Sequence, residues 1–192
     1  MFNLKPLALA ALTALAASAS TLPRQLSGCS PSFQGHPVSI IYPGASGIEA
    51  LYPASDTLNA NIVTAPLVGR TPQFLVENSG HVPTSYLIKD AADHGLVAYA
   101  TAVPRADAAV KLNAIDNSGA DPRQYWVLTC AACASTSTEV PPGGVFGTSC
   151  QIANVAVGRC VQRVGAVGTP PVLAPCSATE GAQMFNFLRE NL

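Results

Sequence analysis

No stretch of this chain sustains a helical apolar period, because Pro or Gly interrupts most windows longer than ten residues. What recurs instead is short runs rich in β-branched and aromatic residues. They cover residues 37–42, 48–52, 61–64, 73–77, 85–89, 95–100, 109–113, 124–129, 150–155, 159–163, 171–174 and 183–188. Turn chemistry separates them at Pro43-Gly44, Asn78-Ser79-Gly80, Asn117-Ser118-Gly119 and Pro141-Pro142-Gly143-Gly144. Twelve short strands without helices predict an all-β domain. The composition narrows this further. Charged residues make up 11% of the 192, against roughly 25% in ordinary soluble domains, while apolar residues reach 48%. That balance excludes a disordered charged tail and a coiled coil. A formal net charge of −1 gives no long-range field for nucleic acid or an anionic membrane, so neither is an expected partner.

Residues 1–19 read as a secretory signal peptide. Lys5 supplies the positive region, Leu7 to Ala17 is apolar apart from Thr13, and Ala17-Ser18-Ala19 offers the small residues that cleavage requires. The apolar core is too short to span a bilayer of about 30 Å as a helix. The mature protein is therefore expected to be secreted and extracellular, with residues 20–33 as an N-terminal extension. Its six cysteines, Cys29, Cys130, Cys133, Cys150, Cys160 and Cys176, predict three disulfides in an oxidising compartment. Cys130 and Cys133 have CxxC spacing, but no second ligand pair exists and His36, His81 and His94 are scattered. No metal or cofactor is expected. Asn-X-Ser/Thr does not occur, so N-glycans are not expected either.

The twelve runs fall into three groups of four, and each group ends alike. Gln73-Phe74-Leu75, Gln124-Tyr125-Trp126 and Gln183-Met184-Phe185 each place a Gln before bulky apolar residues, at roughly 50–60-residue intervals. Repeats of this length are supersecondary units that cannot bury their apolar side alone; three closing on one another would share a core. The repeats are drawn at about 34–80, 81–133 and 148–192, within a domain of residues 34–192. A two-sheet sandwich with three coincidentally similar strands is the plainer alternative.

Four strands per unit, three units and a terminal Gln-x-aromatic motif resemble a β-trefoil of the ricin B-chain type. That fold is shared by secreted lectins and family 13 carbohydrate-binding modules. Only Gln124-Tyr125-Trp126 meets the strict Gln-x-Trp form. The last unit is the closest match, through Arg159-Cys160-Val161-Gln162, then Pro171 to Cys176, then Gln183. The resemblance implies a Cys160–Cys176 bridge within that unit. Cys29, Cys130, Cys133 and Cys150 are left to staple the N-terminus and the connection between units two and three. It also implies that Gln73, Gln124 and Gln183 are structural, as is Trp126, with buried amides tying loop backbone together.

A sugar pocket of this family needs an Asp for hydroxyl groups, an aromatic ring for the pyranose face, and an Asn beside the Gln. Residues before the three glutamines are Pro72, Arg123 and Ala182. The Asp place in unit three holds Gln162, and the matching stretches Ile48-Glu49-Ala50-Leu51 and Leu96-Val97-Ala98-Tyr99 contain no Asp. The stacking places hold Ala65, Asn113 and Ala174. The pocket therefore reads as degraded in every unit. The best remaining ligand-binding set is Asp90, Asp93, Tyr99, Asn113 and Asp116 in unit two. The plainer reading makes Asp90 and Asp93 solvated turn residues and sets Tyr99 in or beside the core. In unit one, Tyr42, Glu49 and Tyr52 form a weaker aromatic and acidic set.

No nucleophile elbow, phosphate loop or outstanding acidic pair is present, so no catalytic residues are assigned and enzyme activity is not expected. The leading expectation is a secreted carbohydrate-binding β-trefoil whose partners are glycans. The alternative is a protein-binding β-trefoil, such as a protease inhibitor or effector-like module, meeting extracellular proteins through loops 101–108 or 134–147. A structural protein without a specific ligand is the blandest reading.

Overall fold

The computed structural model describes residues 28–44, 47–67, 73–101 and 108–190. The signal peptide, most of the N-terminal extension and the interior of loop 101–108 lie outside these. Among the described residues there are twelve strands: β1 (Pro37–Gly44), β2 (Gly47–Pro53), β3 (Ile62–Pro66), β4 (Phe74–Asn78), β5 (Ser85–Asp90) and β6 (Leu96–Ala100). β7 (Val110–Ala114), β8 (Trp126–Cys133), β9 (Val145–Asn154), β10 (Cys160–Gln162), β11 (Val172–Ala174) and β12 (Phe185–Arg189) follow. Each overlaps one of the twelve runs. Short 3-10 turns at Pro122–Gln124 and Gly181–Gln183 lead into β8 and β12. No helix among the described residues is long and apolar enough to cross a membrane.

Six strands close into a ring by antiparallel pairing. β1 pairs β4, β4 pairs β5, β5 pairs β8, β8 pairs β9, β9 pairs β12, and β12 returns to β1. The other six form hairpins β2–β3, β6–β7 and β10–β11, which continue from β1, β5 and β9. Four strands thus repeat three times, which is the β-trefoil arrangement. The hairpins also bond to one another. Asn59 N donates to Leu112 O at 2.9 Å, Thr64 N to Thr169 O at 3.3 Å, and Leu173 N to Ala108 O at 2.9 Å.

Alternation along the strands supplies the core. β4 reads FLVEN with Phe74 and Val76 buried, and β12 reads FNFLR with Phe185 and Phe187 buried. The inward residues form triads, one from each unit: Ile40, Ile88 and Ile152; Phe74, Trp126 and Phe185; Leu51, Ala98 and Val161. The indole of Trp126 is fully buried, and its Nε1 donates to Ala98 O at 3.0 Å. Phe33 closes the end opposite the hairpins, its ring 5.8 Å from Tyr86 and 5.2 Å from both Phe146 and Phe187.

Three disulfides are formed. Cys160–Cys176 lies within unit three, joining the start of β10 to the residues just beyond β11. Cys130–Cys150 joins directly paired residues of β8 and β9 across the boundary between units two and three. Cys29–Cys133 fastens the extension to the end of β8, where Cys29 and Cys130 also exchange backbone hydrogen bonds of 3.0 and 2.9 Å. Loop 134–147, considered above as a protein-binding loop, is packed down: Val140 and Phe146 are buried, and Gly143 N donates to Arg189 O at 2.8 Å. Replacing Cys160 and Cys176 together by Ala should lower stability by about 3 kcal/mol, given loop-closure entropy for a separation of 16 residues. Urea unfolding of the oxidised variant measures this.

Candidate functional site

In the β6–β7 hairpin, Ala98, Ala100, Val110 and Leu112 face the core, so Tyr99, Lys111 and Asn113 take the other face, where Val97 is buried in a second apolar cluster with Leu87 and Tyr125. Tyr99 pairs with Lys111 and Val97 with Asn113. The chain then makes a polar turn. Asp116 Oδ1 accepts from Ser118 N at 2.9 Å and from Ser118 Oγ, and Oδ2 accepts from Asp121 N at 3.0 Å. Asp121 caps the 3-10 turn through Arg123 N at 3.1 Å. It also holds the Arg123 guanidinium by two bonds, Nε–Oδ1 at 2.8 Å and Nη2–Oδ2 at 2.9 Å. That guanidinium lies over the Tyr99 ring, 4.7 Å from its centroid.

These residues border an open depression lined by Asp116, Ala120, Asp121, Pro122, Arg123 and Ala156. The Arg123 hydrogen bonds hold the Asp121 carboxyl below its ordinary range, and the Ser118 hydroxyl and amide do the same for Asp116. Both are therefore charged acceptors at neutral pH, beside a fixed cationic donor. Such a set suits a polyhydroxylated ligand through hydrogen bonds. Stacking is less available, because Arg123 already covers the Tyr99 ring.

Two motif glutamines are clasps. Gln124, 1% exposed, accepts from Asp116 N at 2.8 Å and donates to Ala114 O at 2.7 Å. Gln183 does the same one unit on, accepting from Ser177 N at 2.9 Å and donating to Pro175 O at 2.9 Å and to Gln162 Oε1 at 3.0 Å. Gln73 is not their counterpart. Phe74 pairs with Asp90 as Trp126 pairs with Asn154, so Phe74 stands where Trp126 stands and Gln73 matches Tyr125. The sequence alignment of the three glutamines is therefore one residue out in unit one.

The other predicted residues separate. Asp93 Oδ1 accepts from Gly95 N at 2.9 Å in the β5–β6 turn, as a turn residue does. Asp90 is no solvated turn residue: it ends β5 and is 2% exposed. In unit one, Glu49 is 4% exposed rather than part of a surface. Its carboxylate grips Arg163 of unit three at 2.6 and 2.8 Å, and that guanidinium lies 5.1 Å from the Tyr42 ring centroid. Tyr52 stands apart from this tie, its hydroxyl 3.5 Å from Pro66 O. Asp121, Arg123 and Arg163 went unassigned in the sequence. The Asp-Pro-Arg run before Gln124 carries a capping signal for the first two, whereas Arg163 meets Glu49 across 114 residues. No cluster of His, Cys, Asp or Glu able to hold a metal exists among the described residues.

No protein-family profile matches the sequence, and no curated protein matches it. Solved structures do match in shape. A mosquitocidal holotoxin superposes with a TM-score of 0.60 at 12% identity, over 83% of this chain and 18% of the toxin. A Polyporus squamosus lectin, solved with Neu5Aca2-6Galb1-4GlcNAc, gives 0.55 at 16% identity, over 82% of this chain and 50% of that one. The designed threefold-symmetric protein ThreeFoil gives 0.54 at 15% identity, over 81% and 99%. This chain thus spans half or less of the toxin and of the lectin. At such identities the likeness shows the fold alone, a β-trefoil.

The Glu49–Arg163 pair makes a measurable prediction. Arg163→Ala leaves a buried carboxylate unpaired and should cost about 3 kcal/mol at pH 7, read by urea unfolding. The Arg163 hydrogen bonds depress the Glu49 titration, so the pair stabilises above the unfolded Glu value of about 4.3 and fades as pH falls through the lower folded value. The difference between wild type and variant should shrink over that acid range.

Proposed function

We propose that this β-trefoil is a secreted carbohydrate-binding protein that acts by binding rather than catalysis, through the outer face of unit two rather than the family pocket. The observation carrying this reading is the polar depression of Asp116, Asp121 and Arg123 on a fold that lectins share. Secretion is supported by the N-terminal sequence and is compatible with three disulfides.

The pocket places argue for a displaced site. Leu51, Ala98 and Val161 are equivalent core residues, so the Asp place one residue on holds Tyr52, Tyr99 and Gln162. Gln162 is spent on Gln183, and Tyr99 on Arg123. The opposite strands offer Ala65, Asn113 and Ala174 where a stacking ring is needed. A neutral or weakly polar glycan would instead meet the carboxylates and guanidinium at the rim.

A glycan array with the disulfide-intact protein tests the reading. At least one glycan should bind, and Asp116→Ala or Arg123→Ala should each weaken it about tenfold. Absence of binding to every glycan at high protein concentration would sink it.

A further inference from the structure

Two residues beyond the core isoleucines of β5 and β9 stand Asp90 and Asn154, register partners of Phe74 and Trp126 on the adjacent strands β4 and β8. Asn154 shows what this position is built to do. Its Oδ1 accepts from Ala156 N at 3.1 Å and Val157 N at 3.2 Å. Its Nδ2 donates to the carbonyls of Arg123 at 2.9 Å and Tyr125 at 3.3 Å. It thereby locks one unit's 3-10 turn to the next unit's strand end.

Asp90 reproduces half of that pattern. Its Oδ1 accepts from Ala92 N at 3.0 Å, two residues on, as Asn154 Oδ1 does. The carbonyl matching Tyr125 is also in place, since Gln73 O accepts from Ala91 N at 3.1 Å as Tyr125 O accepts from Val155 N at 2.9 Å. Asp90 Oδ2 therefore takes the place of an amide donor, yet an ionised carboxylate can only accept. It is buried and makes no hydrogen bond in that form. The charged groups acting on it make ionisation harder: Asp56 from the β2–β3 loop and Asp93 from the β5–β6 turn, both carboxylates. Lys89, its neighbour on β5, is engaged with Glu77 at 2.6 Å.

We infer that Asp90 is held as the neutral acid in the folded protein, its Oδ2 proton donated to the Gln73 carbonyl or the Asp56 carboxylate, and that this proton latches unit one to unit two. Burial, then the neighbouring carboxylates, push its titration upward. The sign follows: the folded state binds this proton more tightly than the unfolded chain. Stability from it is full below the unfolded Asp value of about 3.9 and is lost as pH rises through the folded value.

The test is a carboxyl 13C NMR titration of the full disulfide-intact chain, with thermal melts of variants. The Asp90 signal should titrate above the ordinary Asp value of about 3.9. Asp90→Asn, which supplies a permanent donor, should match wild type near pH 3 and melt on the order of 3 °C higher at pH 8. Asp56→Asn, on an exposed loop, should remain folded and move the Asp90 midpoint down. An Asp90 midpoint at or below the ordinary value would overturn the proposal, as would a midpoint indifferent to Asp56→Asn. A calcium-dependent rise in wild-type melting temperature at pH 8, absent in Asp90→Asn, would replace the proton with a cation.

Discussion

Closure of the six-strand ring around three isoleucines, Ile40, Ile88 and Ile152, is the constraint on which the other features depend. A ring has no free edge among its own members, so each barrel strand pairs on both sides and its side-chain alternation cannot slip without exposing a core residue. Each unit contributes one residue to each layer, and none could bury that residue alone. The triads of Phe74, Trp126 and Phe185, and of Leu51, Ala98 and Val161, follow from the same register. The hairpins then close over the layers, and Phe33 fills the other end.

With register settled, polar groups at equivalent positions could diverge in purpose. Gln124 and Gln183 bind their loops with the same geometry, whereas Gln73 of unit one falls one place later and matches Tyr125. Asn154 and Asp90 occupy one position with different donor capacity. Sites that could have faced a ligand have been turned inward to join units, most plainly in the Glu49–Arg163 pair. Scarcity of charge in the chain is part of the same pattern: three described ion pairs use six of its charged groups internally.

The fold was legible because its signals are local. Two-residue alternation in Phe74-Leu75-Val76 or Phe185-Asn186-Phe187, bounded by Gly, Pro and Asn turns, survives without knowledge of partners. The resemblance also led correctly to the Cys160–Cys176 bridge. The candidate site was far less legible. Asp116 and Tyr99 lie on the outer side of unit two, but Asp90 is buried because strand β5 runs one turn-residue further than its sequence suggests. Gln73 was misaligned because unit one is shorter before its core Phe, so one Gln resembles another in sequence while the backbone sets it against Tyr125. Contacts such as Asp56 with Asp90 or Arg163 with Glu49 join residues far apart in sequence, and composition carries no trace of them.

The seam of the ring joins β1 to β12, the first strand to the last. During synthesis the barrel stays open until β12 has emerged, and β1 must wait with one side unpaired while the intervening strands assemble. Long-range pairing of this kind makes folding slow and leaves an adhesive edge exposed. The bridges have unequal parts in that wait. Cys160–Cys176 can form as soon as unit three appears, while Cys29–Cys133 closes a span of 104 residues and becomes possible once β8 has emerged, ahead of the seam. An early Cys29–Cys133 bond would keep Phe33 beside the opening it later fills, so oxidation order and folding yield should be coupled in this protein.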